Sequence, residues 1–363
     1  MPFGPERLYN KLHRLVEERR ELLQRLGGIS LDLVQVANEE WLYMLGEDTR
    51  HSLAIEGFFV TEKELKDVLQ GRRGSLEVLN YFRTAQFVYE QALQDAQGGP
   101  LRLDKAWINN IHGQLFRETA LDRQRGKPAD GIPRVIQGAK VKPPLEASEY
   151  LGAFVDVVRY IWERELLEVL AKAHVLFEAI HPYLDGNGRV GRLLLNYLAI
   201  YRGLPPLVVK GLGEADRQRY YQALEAADRG FHGGFPPPDP KALIQALDAG
   251  EWRSLALLLG ESLLPRLDRV LGLALMRFVD LMPMEEVARA MGVEREQVYV
   301  WADRHRLAVY RSGGKGRLYS HPWLFLGTRR RPSPLPEELP PERPGWQDRL
   351  REMQRLLFHP EAL

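Results

Sequence analysis

His181-Pro-Tyr-Leu-Asp-Gly-Asn-Gly-Arg-Val-Gly-Arg192 is the stretch of this sequence that carries the most chemistry. Gly186 and Gly188 flank Asn187, and a turn of this kind can aim several backbone N–H groups into one anion-binding concavity. The residues that follow are predicted to begin a helix, whose N-terminus adds a partial positive charge at the same place. The pattern therefore predicts a phosphate-binding loop that leads into a helix.

Charged side chains around this loop supply what phosphate chemistry needs. Arg189 and Arg192 are three positions apart, so they share a helix face and can both bind phosphate oxygens. Asp185 is a hard oxygen ligand suited to Mg²⁺, and His181 can take a proton from an attacking hydroxyl. A glycine-rich turn with solvated arginines is the alternative, but the whole set favours an ATP-phosphate site.

In order and spacing, the segment resembles the signature of the Fic family, with Tyr183 where many members have Phe. The preceding helix, 173–180, is also similar, although its His174 and Glu178 are expected to be structural. The resemblance covers about Asp48 to Ala246. It implies a protein adenylyltransferase that moves AMP from ATP, with Mg²⁺, to a Ser, Thr or Tyr hydroxyl of a protein, the chain itself included. Because the loop contacts phosphates and not bases, transfer of another nucleotide or of phosphate stays open.

The resemblance implies a role for each loop residue. His181 would be the general base and Asp185 the Mg²⁺ ligand. The nucleotide would be bound by the rest of the loop, namely Gly186, Asn187, Gly188, Arg189, Gly191 and Arg192. Beyond the loop, Tyr220 and Asp228 would line the nucleoside side. Asp228 stands where many members have Asn, and this puts its contact to adenine in doubt because a carboxylate accepts but cannot donate.

An upstream segment, Ser52-Leu-Ala-Ile-Glu56-Gly57, reads first as a helix end with Gly57 in the left-handed conformation. It is also similar to the inhibitory motif of Fic proteins that carry their own α-inhibitor. In that family the glutamate pairs with the second arginine of the loop, which here joins Glu56 to Arg192. A carboxylate there takes the place of an outer phosphate and displaces ATP from the in-line geometry. The resemblance thus implies autoinhibition through Ser52, Glu56 and Gly57.

Residues 131–144 are rich in Gly, Pro and β-branched residues, which predicts a short β-hairpin. The segment resembles the Fic flap, which pairs with the extended backbone of the target protein. The resemblance gives target docking to Val135, Ile136, Gln137 and Gly138. A structural hairpin that only covers the core stays the alternative.

Met284–Trp301 has the pattern of a helix, a turn at Gly292 and a second helix. The strands predicted next, Leu307–Tyr310 and Arg317–Tyr319, would form a wing around Gly313-Gly314. This segment resembles the winged helix-turn-helix of excisionase-like and MerR-like modules. Its basic residues are Arg295, Arg304, His305, Arg306, Arg311, Lys315 and Arg317, followed by Arg329, Arg330 and Arg331. Such modules bind DNA or dock proteins. The second hypothesis is therefore a DNA-binding regulator whose Fic domain senses nucleotide or modifies itself.

Composition is that of an ordinary globular protein: of 363 residues, 45% are hydrophobic and 27% charged, with a formal net charge of +1. No global charge therefore attracts the chain to nucleic acid or acidic lipid. The absence of cysteine excludes disulfides, thiolate metal sites and cysteine nucleophiles. No stretch reaches the roughly 18 apolar residues of a membrane span, and the N-terminus has no apolar signal core. We expect a cytoplasmic protein with no membrane partner; a homo-oligomer is left open.

Helical periodicity dominates, so the predicted fold class is mainly α. It comprises a Fic-type helical core with a short β-hairpin flap, then a helical linker and a winged helix-turn-helix-like domain. Four segments are predicted from motifs and Pro/Gly-rich stretches. They are 1–100, with N-terminal helices and the inhibitory segment 52–57; 101–235, the catalytic core with the flap 131–144 and the loop 181–192; 240–331, the linker and winged module; and 332–363, a Pro-rich linker and short terminal helix.

Overall fold

The computed structural model describes residues 5–70, 72, 75–311, 317–326 and 335–358. Helices dominate these residues, as the sequence predicts. The α-helices are α1 (Pro5–Arg25), α2 (Leu31–Val36), α3 (Asn38–Ile55), α4 (Glu62–Leu69), α5 (Leu76–Ala96), α6 (Lys105–Leu115), α7 (Ala147–Tyr160), α8 (Leu166–Ile180), α9 (Asn187–Tyr201), α10 (Glu214–Ala227), α11 (Pro240–Asp248), α12 (Trp252–Leu275), α13 (Met284–Met291), α14 (Arg295–Asp303) and α15 (Trp346–Phe358). Short 3₁₀ helices lie at Asp122–Gln124, Arg229–Phe231 and Pro322–Leu324. No helix in this described part is both long and apolar enough to cross a membrane.

The chain divides into two compact units. Unit 1 comprises Met1–His13, Leu45–Arg202 and Pro206–Ser262, and unit 2 comprises Arg14–Met44, Gly203–Pro205 and Leu263–Leu363. These divisions fall at other places than the four predicted segments, which stay a prediction. Every candidate site residue from the phosphate loop, the inhibitory segment and the flap lies in unit 1.

The centre of unit 1 is the helix pair α8 and α9. All residues of α8 except Glu168 and Glu178 are buried, which is typical of a helix enclosed on every side. Helix α5 packs against α9, and α7 packs against α8. The phosphate loop joins the two central helices, so its ends are fixed by the best-packed part of the unit.

Local signals fix several helix starts in unit 1. Thr61, with Glu64 three residues later, has the pattern that predicts a helix cap, and its Oγ1 accepts the backbone N–H of Glu64 at 3.1 Å, which confirms this prediction. Asp104 caps α6 in the same way, accepting from Trp107 at 2.8 Å. These contacts satisfy N–H groups that have no acceptor within their own helix.

Two helices run further than the sequence indicated. The sequence pattern predicts a single helix over Ser30–Leu45, but the structure has two helices there, α2 and α3, and α3 continues through Gly46 to Ile55. A Cβ at Gly46 would lie 2.9 Å from the Leu65 side chain, so this glycine allows close helix packing instead of ending the helix. Helix α12 likewise continues through Pro265, a residue type that usually kinks or ends a helix.

In unit 2, α13 and α14 are joined through Gly292, whose φ of +64° suits a residue without a Cβ. Beside them lie the strands β1 (Met282–Pro283), β2 (Tyr310–Arg311) and β3 (Leu318–Ser320), which form an antiparallel sheet in the order β1-β3-β2. The two wing strands were predicted, whereas β1 was not. The predicted turn at Gly313-Gly314 and the residues Lys315, Arg329, Arg330 and Arg331 lie outside the described residues.

Candidate active site

His181 ends helix α8 and adopts the left-handed conformation, with φ +49° and ψ +58°. This backbone conformation is uncommon for a residue with a Cβ, and such outliers concentrate at functional sites. Its Nδ1 lies 3.3 Å from the carbonyl oxygen of Glu178. Since a carbonyl can only accept, Nδ1 carries the proton and Nε2 keeps a free lone pair. Burial lowers the pKa of His181 to about 4, so the ring is a neutral base at neutral pH.

The Asn187 side chain shapes the loop. Its Oδ1 accepts the backbone N–H of Tyr183 at 2.8 Å, and its Nδ2 donates to the Tyr183 carbonyl at 2.7 Å. The residue is 1% exposed. The first bond within α9 runs from Val190 N–H to Gly186 O, so the N–H groups at the very start of α9 have no acceptor in the helix. The side chain of Asn187 therefore holds the loop, and the N–H groups at the start of α9 are of the kind that can bind an anion.

Two loop glycines have different reasons to be glycine. Gly186 has a φ of +80°, and a Cβ there would lie 2.5 Å from the Phe116 ring. At Gly188, a Cβ would lie 2.4 Å from Oε1 of Glu56. The carboxylate of Glu56 thus rests against the bare backbone at the start of α9, where a helix N-terminus favours negative charge.

The structure brings Ser52 and Glu56 together with Arg192. Nη2 of Arg192 donates to Oε1 of Glu56 at 2.6 Å and to the Ser52 carbonyl at 3.1 Å, and Nε donates to Oγ of Ser52 at 2.7 Å. Arg192 is 2% exposed. Burial opposes ionisation of Glu56, but the charge and hydrogen bond of Arg192 outweigh it, and the pKa of Glu56 lies below its ordinary value. The contact is therefore a partly buried ion pair at neutral pH.

The helix end that carries Glu56 has the geometry expected of it. Gly57 is left-handed, with a φ of +84°. The Gly57 N–H bonds the Ala54 carbonyl at 3.1 Å, and the Phe58 N–H bonds the Leu53 carbonyl at 2.9 Å. This pair of bonds is a Schellman motif, which ends α3 at Ile55, directly before the residue that pairs with Arg192.

Asp185 is half exposed, with 52% of its side-chain surface accessible. Its Oδ1 accepts from Gly186 N–H at 2.5 Å and from Nη2 of Arg189 at 3.2 Å. The Arg189 guanidinium lies 4.8 Å from the centre of the Phe116 ring. Within the described residues no group of three or more acidic, His or Cys residues is placed to hold a metal. One accessible carboxylate next to a phosphate site fits Mg²⁺, which takes one or two carboxylates together with phosphate oxygens.

Sequence reasoning missed two residues of α6 that contact the phosphate loop. The Tyr183 hydroxyl donates to Oδ1 of Asn109 at 2.7 Å, and its ring stacks on His112 with centroids 3.8 Å apart. Nδ1 of His112 accepts from Gly126 N–H at 2.7 Å, so Nε2 donates to the Asp185 carbonyl at 3.1 Å. Asn109 and His112 are three positions apart on α6, a spacing that was the only available signal.

The flap residues form a turn without paired strands, so the predicted β-hairpin at 131–144 is wrong in its backbone pairing. The Ala139 N–H bonds the Ile136 carbonyl at 3.1 Å, and Gly131 N–H bonds the Leu145 carbonyl at 2.9 Å. Three prolines provide the physical reason, since they have no N–H for a strand ladder: Pro133, Pro143 and Pro144. Of the predicted docking residues, Val135 is 87% exposed, Gln137 and Gly138 are exposed, and Ile136 is half-buried.

Arg134 holds the base of the flap and was also missed. It is buried, and it donates to three backbone carbonyls, those of Ala129 (2.5 Å), Ile132 (2.9 Å) and Pro144. The Ala129 N–H in turn bonds the carbonyl of Pro182, next to the catalytic candidate His181. The flap is therefore anchored to the phosphate loop by main-chain contacts.

The structure gives both predicted nucleoside residues other partners. Tyr220 is 1% exposed, and its hydroxyl lies 2.7 Å from Nε2 of His174. Asp228 accepts from Nε2 of His232 at 2.6 Å, and burial raises its pKa to about 6. The neighbouring Tyr221 is 48% exposed, and its hydroxyl donates to the Ile55 carbonyl at 3.0 Å. The accessible aromatic ring on this side of α10 is thus Tyr221.

Comparison with known proteins finds a matching family and several relatives. A model described as the Fic/DOC family matches residues 102–199. A relative from Aquifex aeolicus (strain VF5), named "Probable protein adenylyltransferase", is 33% identical over 203 residues, 54% of this chain and 59% of the relative. A "Protein adenylyltransferase Fic" from Nematostella vectensis is 39% identical over 232 residues, 59% of this chain and 50% of the relative.

A solved structure shows the same fold. It is a Fic domain containing signaling protein from Bacteroides thetaiotaomicron VPI-5482, with 20% identity and a TM-score of 0.54, and the match covers 72% of this chain and 97% of that chain. At this identity the likeness concerns the fold alone. This chain spans 50 to 59% of the length of the two relatives named above.

Proposed function

We propose that the Fic domain carried by this chain makes it a protein adenylyltransferase, which moves AMP from ATP to a hydroxyl side chain of a protein. One observation carries the proposal. His181 is a neutral base with Nε2 free, and it stands at the head of a loop whose backbone forms an anion site at the start of α9. A base beside a phosphate site is the arrangement that transfer to a hydroxyl requires.

The proposed step forms one bond and breaks one. The oxygen of a Ser, Thr or Tyr side chain attacks the α-phosphorus of ATP, and its proton passes to Nε2 of His181. The bond from the α-phosphorus to the bridging oxygen breaks, and pyrophosphate leaves. Arg189 and Arg192 bind the outer phosphates, while the backbone from Gly186 to Gly188 binds the α-phosphate region. Asp185 would hold Mg²⁺, which when bound neutralises phosphate charge.

Autoinhibition is part of the proposal. The Glu56 carboxylate lies against Gly188 and uses the guanidinium of Arg192, so it occupies an anion position that an outer phosphate needs. ATP can enter only with its phosphates displaced, and displaced phosphates lose the in-line geometry. The ion pair must therefore open before efficient transfer.

The target is proposed to dock on the flap, because Val135, Gln137 and Gly138 are exposed there. Strand addition needs free main-chain groups on one edge, and the unpaired arms of the flap supply them. For the nucleoside, Tyr220 and Asp228 stay proposals, which need α10 to present side chains that are buried in this structure.

We propose a winged helix-turn-helix fold for the C-terminal module, because β1, α13, α14, β2 and β3 follow one another in that order and the three strands form one sheet. Arg295 and Arg317 both pair with Glu285 at 3.2 Å, which lowers the positive charge available to phosphate. The comparisons favour an enzyme over a DNA-binding regulator. DNA binding, a homo-oligomer and a cytoplasmic location stay predictions; steep loss of DNA binding with rising salt is the result that would support the first.

The nature of the transferred group has a direct test. The Glu56→Gly protein is incubated with Mg²⁺ and an equal mixture of ATP, UTP, GTP and CTP, and modified proteins are analysed by mass spectrometry. Adenylyl transfer predicts an adduct with the mass of AMP on a hydroxyl residue. An adduct with the mass of UMP, GMP or phosphate would replace AMP as the transferred group.

A further inference from the structure

Three polar residues follow one another along one face of α3. Asp48, Ser52 and Glu56 are spaced by four positions, so they lie above one another on the helix. Two of them contact Arg192, and both belong to the inhibitory segment. The third, Asp48, lies one turn further back and is 1% exposed. A buried carboxylate in line with an inhibitory pair calls for a physical explanation.

A chain of hydrogen bonds connects Arg192 to this carboxylate. Nε of Arg192 donates to the Ser52 hydroxyl at 2.7 Å. The Ser52 hydroxyl also hydrogen-bonds the hydroxyl of Tyr81. The Tyr81 hydroxyl donates to Oδ2 of Asp48 at 3.0 Å. Each donor has one proton to give, so the chain runs in one direction, from the guanidinium through two hydroxyls to the carboxylate.

The residues of this chain of hydrogen bonds are buried. Ser52 is 1% exposed and Tyr81 is fully buried. Burial also raises the pKa of Tyr81 well above its ordinary value, so its hydroxyl keeps the proton that it donates. The Tyr89 hydroxyl donates to the same Oδ2 at 2.8 Å, and Nδ2 of Asn196 lies 3.5 Å from Oδ1. Aligned bonds in a low-dielectric interior polarise one another, so charge at one end is felt at the other.

Arg192 needs a further partner once Glu56 withdraws, because burial raises the pKa of Glu178, the other carboxyl that acts on it, to about 7. It is a buried cation, and a buried charge without compensation is strongly unfavourable. The bond from Nε to the Ser52 hydroxyl does not depend on Glu56, because it uses a different donor, and the bond from Nη2 to the Ser52 carbonyl has an acceptor of its own. They leave the guanidinium in place when the inhibitory carboxylate is gone.

We propose that Asp48 is a remote counter-ion of Arg192, connected to it through Tyr81 and Ser52. Asp48 and Tyr81 are then positioning residues: neither touches the nucleotide, and together they keep Arg192 oriented for the outer phosphates of ATP. This inference rests on the proposed role of Arg192 in binding ATP.

The test measures the dissociation constant of ATP with Mg²⁺ by titration calorimetry, in the full chain carrying Glu56→Gly. Adding Tyr81→Phe removes one hydroxyl from the chain of bonds. We expect the dissociation constant to rise about 3- to 10-fold, the range for the net contribution of one ordinary hydrogen bond, because Tyr81 acts on Arg192 only through Ser52. The double change Ser52→Ala with Tyr81→Phe should weaken binding no more than Ser52→Ala alone, because both cut the same connection.

Tyr197→Phe is the matched control. Tyr197 is also fully buried in α9, and its hydroxyl donates to Asp95 at 2.7 Å and accepts from Arg102 N–H, away from the chain of bonds. It should leave the dissociation constant unchanged within about twofold. Asp48→Asn keeps the shape of the side chain and removes its charge. This variant replaces Tyr81→Phe in the binding measurement if Tyr81→Phe does not fold.

The outcomes separate the two proposals. ATP binding to the Glu56→Gly parent that neither Tyr81→Phe nor Asp48→Asn weakens more than Tyr197→Phe would overturn the remote counter-ion and leave the proposed function standing. Additive effects of Ser52→Ala and Tyr81→Phe would overturn it too. If the Glu56→Gly parent does not bind ATP at all, the proposed function fails, and this inference fails with it.

Discussion

Glu56→Gly is expected to raise the rate of AMP transfer sharply. Nη2 of Arg192 lies 2.6 Å from Oε1 of Glu56, and the two side chains are 2% and 25% exposed. A hydrogen bond between charged groups contributes about 1.5–3 kcal/mol, which corresponds to about a 10- to 150-fold change in an equilibrium. In the proposed mechanism ATP binds productively only when Arg192 is free, so the fraction of competent protein should rise by that factor.

The assay is the initial rate of transfer from ATP labelled on the α-phosphorus, at ATP concentrations below KM. Glu56→Ala should match Glu56→Gly, which separates loss of the carboxylate from added freedom at the helix end beside Gly57. Glu56→Gln keeps the side-chain length without the charge and should give a smaller increase. Equal rates for wild type and Glu56→Gly over the whole ATP range would refute the autoinhibition argument.

Three further results are expected. For the Glu56→Gly enzyme, kcat/KM should fall on the acid side with a midpoint at about pH 4 and not at 6.5. Burial lowers the pKa of His181 to about 4, and only the neutral ring accepts a proton. A midpoint at 6.5 would mean that His181 is solvated in the active state. Tyr183→Phe should lower the free energy of unfolding by about 1 kcal/mol, measured by urea denaturation, since Asn109 loses its buried donor; an unchanged midpoint would contradict this. Arg134→Met should raise KM for the protein target several-fold with KM for ATP unchanged, because the flap loses its anchor to three carbonyls; equal changes in both constants would count against a role in target docking.

Sequence reasoning reached most of the helices in unit 1 because their signals are local. Thr61 caps its helix and Gly57 ends another, and both act through residues within one turn. The sequence-based predictions were wrong where the local structure depends on other parts of the chain or on missing hydrogen-bond donors. Helix α3 passes Gly46 because Leu65 packs there, and the flap has no strands because its prolines remove the donors of a ladder.

In the candidate site, too, the features within one short segment could be predicted from the sequence, and the contacts between distant segments could not. The loop from His181 to Arg192 is contiguous, so its chemistry could be predicted from residue types and spacing. The pairing of Glu56 with Arg192 came from a motif resemblance, since 136 positions separate the two residues. The residues that support the phosphate loop from other helices belong to no sequence motif that could have identified them. Asn109 and His112 contact the loop from another helix, and Asp48 reaches Arg192 through two intermediate hydroxyls. Contacts of this kind depend on the tertiary fold.

The most direct test of the central claim compares two proteins in one experiment. Glu56→Gly and Glu56→Gly/His181→Ala are each incubated with Mg²⁺, a protein extract and ATP labelled on either the α- or the γ-phosphorus. The account predicts protein-bound label from α-labelled ATP with the first protein, none from γ-labelled ATP, and none from either with the second. Label that persists without His181, or that comes from the γ-phosphorus, would contradict it.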